Sequence, residues 1–259
     1  MEGVVDLNIY QMISAYIFVL ILLAIVRLRG IPREKEIIIS SFRMTIQLIL
    51  AGYVLDYIFK SSSPILTLII IMIMEVFAIY NTFKRVKYPL TKELKKIISV
   101  SMFSGTLVSL FYFLLVVIGM KPWYDPRYFI PISGMIVGNS MTGISLGTKN
   151  LIEGMNSKKD LVETALMMGA TPKMASKDIV NNAFDASILP TINSMVGMGI
   201  VSLPGMMTGQ ILSGISPLIA VRYQIAIMLG IMGSVSLTVI IFLQLGYKTF
   251  FTKDSQLNI

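Results

Sequence analysis

The chain has 259 residues, 55% of them hydrophobic and only 14% charged, with a mean hydropathy of +0.77; soluble domains carry about 25% charge, so the solvent expected for this chain is a bilayer. It has no Cys and no His, which excludes disulfides, thiolate or imidazole metal sites, and every catalytic arrangement built on a nucleophile and a histidine. The net charge of +8 reports membrane topology in so apolar a chain, and no nucleic-acid partner is expected.

Taken in order, the apolar runs predict an all-α, polytopic bundle of about seven spans: 9–26, 37–59, 64–83, 97–119, 130–149, 187–208 and 223–247. Glu2 and Asp6 precede the first run, which ends on Arg27 and Arg29 and not on small residues, so it reads as a span and not as a signal peptide. With the N-terminus outside, the segments 27–36, 84–96, 149–186 and 248–259 lie inside and hold 17 Lys and Arg. The outer side holds Lys60, Lys121, Arg127 and Arg222. That asymmetry predicts N-out, C-in. The outer loop MKPWYDPRYF (120–129) places Trp123, Tyr124, Tyr128 and Phe129 at headgroup level. No repeat or linker divides the chain, so 1–259 is read as one transmembrane permease domain in the cell membrane.

Three charges fall inside spans, Asp56 near an outer end and two deeper ones. Arg43 lies six residues into the second span and Glu75 eight residues into the third. At 1.5 Å per residue that is roughly 9 and 12 Å from the inner surface, a depth at which an ion pair could form, with Gln47 one turn above Arg43. Span five carries Gly134-x-x-x-Gly138 and Gly143-x-x-x-Gly147, spacing that lets helices approach closely, with Asn139 and Ser140 between. Span six is punctuated by Pro190, Gly197, Gly199, Pro204, Gly205 and Gly209. It is expected to be interrupted, as transporter helices are at substrate sites, with Asn193, Thr208 and Gln210 as route-lining candidates. The 19 methionines are expected to fill irregular helix interfaces, and no metal ligand set is assigned.

The inner segment 149–186 is the polar exception. Ser157 and Asp160 suggest a capping box, so a helix is expected from about Lys158, with Leu161, Ala165 and Met168 on its apolar face. Gly169 suits a positive-φ stop, and Thr171-Pro172 an N-cap and first-turn proline. A second helix then runs through Ala175, Ile179 and Ala183 towards Pro190.

The wording Glu163-x-Ala165-x-x-x-Gly169-Ala170-Thr171-Pro172 resembles the EAA loop of ABC-transporter permeases. With PWYDPRYFIPISGMIVGNSMTGISLG (122–147), LPTINSMVGMGIVSLPGMMTGQILSG (189–214) and AVRYQIAIML (220–229), the chain resembles the FetB-type permease family. That resemblance links it to iron export, and through plant relatives to aluminium tolerance. It implies a non-catalytic membrane subunit in which Glu163, Ala165, Gly169, Ala170, Thr171 and Pro172 couple to a cytoplasmic ABC ATPase. Two copies of the chain would pair, and ATP and Mg2+ would sit on the partner subunits. No cofactor is expected in this chain, and no Gly-x-x-x-x-Gly-Lys-Ser/Thr loop occurs in it. The alternatives are export of a nucleotide sugar or metal chelate by the same mechanism, or an ATPase-independent channel or carrier. An intramembrane acid-pair enzyme is disfavoured, because Asp56 and Glu75 fall near opposite ends of their spans.

Overall fold

A computed structural model describes residues 7–61 and 63–258; residues 1–6 (with Glu2 and Asp6), 62 and 259 lie outside the described residues. Among the described residues there are helices and two isolated bridges but no β-strand. The chain forms two compact units, one holding residues 1–62 with 212–214, the other 63–211 with 215–259.

In the first unit, α1 (Ile9–Ala15) and α2 (Ile17–Leu28) follow one another through Tyr16, and α3 (Glu34–Ser61) runs back beside α2. Asn8 opens α1 with a reciprocal cap: its side chain accepts from the Gln11 amide, and the Gln11 side chain accepts from the Asn8 amide, both at 2.9 Å. Gly30, at φ +65°, turns the chain between α2 and α3. The Tyr16 and Thr45 hydroxyls hydrogen-bond across the pair. Most apolar side chains here are exposed, as a helical hairpin facing lipid should be.

The second unit holds the core. Its helices are α4 (Pro64–Arg85), α5 (Lys92–Tyr112), α6 (Pro126–Ser157), α7 (Lys159–Met167), α8 (Pro172–Ala175), α9 (Lys177–Gly197), α10 (Gly205–Leu212) and α11 (Pro217–Gly246). A π-helical turn, Phe113–Val117, extends α5, and a 3-10 turn, Tyr247–Phe250, closes α11. Helices α6 and α11 are central: α6 packs on α4, α9 and α11, and α11 packs on α5, α6 and α9. Glycines set these crossings. A Cβ on Gly105 would lie 2.7 Å from the Thr238 Cα. One on Gly143 would meet Val235 at 2.7 Å, and one on Gly147 the Ser187 hydroxyl at 2.7 Å. Without a driving force from water, such close packing is how helices associate in lipid.

Among the described residues, six helices are long and apolar enough to cross a membrane, counting α1 and α2 as a single 20-residue stretch. The seventh expected span, 187–208, is interrupted, as its glycines and prolines suggest. Helix α9 ends at Gly197, Met198–Pro204 is irregular with Gly199 at φ +85°, and α10 begins at Gly205. The protein is a multi-pass membrane protein. Span five is longer than expected. Instead of ending near 149, α6 continues to Ser157, and at 32 residues it measures about 48 Å against a hydrocarbon core of about 30 Å. Lys149 and Glu153 sit one turn apart on this extension, 3.8 Å from each other. They look like loop charges in the sequence, but they decorate a helix.

Candidate functional site

The polar segment folds as a helical hairpin, with two differences from its expected form. Because α6 runs on to Ser157, no loop is left for a capping box. The Ser157 hydroxyl instead turns back to the Gly154 carbonyl, and Lys158 alone separates α6 from α7. The apolar residues of α7 also divide between two faces. Val162 is 2% exposed and Leu166 is partly buried against the core, whereas Leu161 is 68%, Met167 86% and Met168 83% exposed. An apolar ridge therefore faces outward, and Leu161 and Met168 of the expected apolar face lie on it.

The turn is as the residues predict. Gly169 has φ +87° and open space around the position a Cβ would take. Its amide bonds the Leu166 carbonyl, and the Ala170 amide bonds that of Ala165. The Thr171 side chain accepts from the Met174 amide, and Pro172 occupies the first turn of α8. Ile179 and Ala183 are buried, with Ala175 packed against the core, so the second arm is seated on the bundle. Glu163 is half-buried on α7, 3.8 Å from Lys159.

Two further segments gather at this end of the unit. The Tyr88 hydroxyl donates to Glu153 at 3.0 Å, and that bond, with burial and the carboxylate charge, raises the phenol above its ordinary pKa. The C-terminal residues form a small hairpin. The Thr252 amide bonds the Gln256 carbonyl at 2.8 Å, the Asn258 amide bonds that of Phe250 at 2.8 Å, and Ser255 takes φ +60°. Leu257 and Asp254 form one wall of a cleft of about 430 Å3; Glu163, Leu166, Met167 and Ala170 form the other. This wall was not foreseen, although Lys253-Asp254-Ser255 is a recognisable turn sequence.

The model of the uncharacterised protein family UPF0014 matches residues 9–251, nearly the whole chain and all of the hairpin. The chain belongs to this family. The UPF0014 membrane protein YjkA of Bacillus subtilis is 36% identical over 246 residues, covering 93% of this chain and 95% of its own. The Escherichia coli protein named "Probable iron export permease protein FetB" is 34% identical over 243 residues, covering 94% and 92%. The Arabidopsis thaliana protein "ALUMINUM SENSITIVE 3" is 35% identical over 245 residues, covering 95% and 88%. No solved structure matches the chain.

Within the bundle the route candidates are scattered. Arg43 and Gln47 lie one turn apart on α3 of the first unit. Glu75, on α4 of the second, is 1% exposed; it is hydrogen-bonded to the Thr106 hydroxyl, which also reaches the Met102 carbonyl at 2.7 Å. The second Glu75 oxygen, Oε2, has no hydrogen-bond partner among the described residues. Asn139 is exposed on α6 and bonds back to the Met135 carbonyl, while its neighbour Ser140 is buried against Ser234 of α11 at 3.1 Å. Asn193 is exposed on α9. Thr208 bonds the Pro204 carbonyl at 3.1 Å, and the buried Gln210 Oε1 lacks a partner among the described residues. None of Asn139, Asn193, Thr208 and Gln210 hydrogen-bonds another of them. A residue that no sequence pattern singles out reaches the break: the Gln224 side-chain amide of α11 donates to the Met198 sulfur at 3.8 Å. No group of three or more carboxylate, imidazole or thiolate residues that could hold a metal occurs among the described residues.

Proposed function

We infer that this chain is the permease subunit of an ABC transporter and exports iron or another metal cation. A separate cytoplasmic ATPase, carrying the ATP and Mg2+, supplies the energy, and the permease works as a pair of identical chains. The observation that carries this reading is the outward apolar ridge of α7, stopped by a glycine whose missing side chain leaves room for a partner. A ridge of Leu161, Met167 and Met168 beyond the end of a membrane bundle is costly to leave in water and suits a groove on a soluble subunit. The name of the Escherichia coli relative supports the cargo class, and that of the plant relative supports a metal-related role.

On this reading, nucleotide-driven closure of the ATPase pair moves the hairpin. The motion tilts α6 and α9 and exposes the cargo route first to one side of the membrane and then to the other. This chain makes and breaks no bond; its residues position, couple and conduct. The test is to ask whether a soluble, Walker A-bearing protein is encoded beside this chain and co-purifies with it, followed by iron efflux from proteoliposomes. ATP-dependent efflux by the complex is expected, with the complex lost in Gly169→Arg and Glu163→Lys. Efflux by the chain alone, or a complex that persists in both variants, would remove the coupling reading.

A further inference from the structure

An open groove of about 680 Å3 runs between α5 and α11. Val108, Tyr112 and Val117 line one wall and Arg222, Leu229 and Leu237 the other. We propose that this groove binds one anionic phospholipid, with the phosphate on Arg222 and an acyl chain laid along α11 towards Leu237.

The groove has a local cause. Gly230 lets the Phe113 ring pack against α11, since a Cβ there would lie 2.7 Å from that ring. One turn further on, Gly233 has no side chain, and nothing lies within 4 Å of the place a Cβ would occupy. Phe113 is also where α5 widens into its π-helical turn, a feature frequent at functional sites. The backbone therefore comes together at Gly230 and leaves a furrow beside Gly233.

The polarity of the groove suits a lipid better than a soluble ligand. Arg222 is the one charged residue lining it, and it stands at the end where Tyr128 stacks on Tyr223 with ring centres 6.3 Å apart. That is the aromatic, headgroup-level end of the bundle. Its guanidinium is exposed and pairs with no carboxylate among the described residues. A planar guanidinium free to bond in bidentate fashion is the side chain best matched to a phosphate. From Arg222 to Leu237 the helix rises about 22 Å, whereas half of the hydrocarbon core is about 15 Å. One leaflet's acyl chain, lying aslant, fits that length with its phosphate at the charged end.

The test is native mass spectrometry of the purified full chain, delipidated and then titrated with phosphatidylglycerol or phosphatidylcholine. Wild type is expected to retain one phosphatidylglycerol per chain in preference to phosphatidylcholine. Arg222→Gln should cut that preference about tenfold, the loss expected for one charge-assisted contact. Gly233→Phe fills the furrow without meeting a neighbour at its Cβ, and should abolish retention of both lipids while leaving the melting temperature unchanged. Equal retention of the two lipids by wild type, or undiminished retention by Gly233→Phe, would overturn the proposal. Conversion of a dimer to a monomer by Gly233→Phe with lipid retention intact would also overturn it and assign the groove to a second copy of the chain.

Discussion

Glu75 holds a carboxyl inside an apolar bundle with one oxygen on Thr106 and the other without a partner among the described residues. Burial of an unsatisfied polar atom costs about 1–3 kcal/mol, so Glu75→Met should raise thermal stability by an amount of that order. If the carboxyl serves the cargo route, the same variant should lose transport. Lower stability with unchanged transport would make Glu75 a structural residue. Tyr88, half-buried at the edge of the core, offers a second, independent reading. Its phenol is raised because the protonated form donates to Glu153. The contact therefore contributes fully below the ordinary phenol pKa and is lost as pH rises through the elevated folded value. Ultraviolet titration of wild type minus Tyr88→Phe should show late ionisation, and Glu153→Gln should bring it back towards that of free tyrosine. Sequence reasoning could place Glu75 at depth, because depth follows from counting residues along a span. It could not supply Thr106, because an isolated threonine within an apolar run carries no sign of what it faces.

At the scale of elements, the glycine pairs of α6 show what a motif can and cannot tell. Gly143 and Gly147 are pressed against Val235 and Ser187, whereas nothing lies within 4 Å of a Cβ placed on Gly138. Gly143→Ala should therefore cost roughly 1–3 kcal/mol by overpacking. Gly138→Ala should be neutral or stabilising by about 1 kcal/mol, since alanine is the better helix former. Melting curves in one detergent would separate them, and equal effects would mean that the crossings are not set by these contacts. The spacing announced close packing, but only the neighbours on α9 and α11 decide which glycine bears it. The cytoplasmic-end hairpin of α7 and α8 shows the same limit. Gly169, Thr171 and Pro172 act through their own backbone geometry, and their roles were legible. The cap expected at Ser157 is absent, because α6 runs on to that residue and Lys158 alone leads into α7. Where a helix starts anew, local residues fix its orientation; where it follows directly on another, distant packing does.

For the molecule as a whole, hydropathy and the placement of lysine and arginine were enough to anticipate an all-helical multi-pass protein, and the prolines and glycines of 187–209 anticipated its interrupted span. The C-terminal hairpin and the α5–α11 groove were not anticipated, since each arises where segments far apart in sequence meet. The 48 Å length of α6 has a mechanical corollary. A helix that leaves the bilayer and enters the hairpin through Lys158 alone behaves as a stiff crankshaft with no slack at its bearing. Two or three glycines inserted between Ser157 and Lys159 should give that shaft free play. On the ABC-permease reading proposed above, the complex would still assemble and consume ATP, yet efflux should fall steeply, leaving a motor that idles.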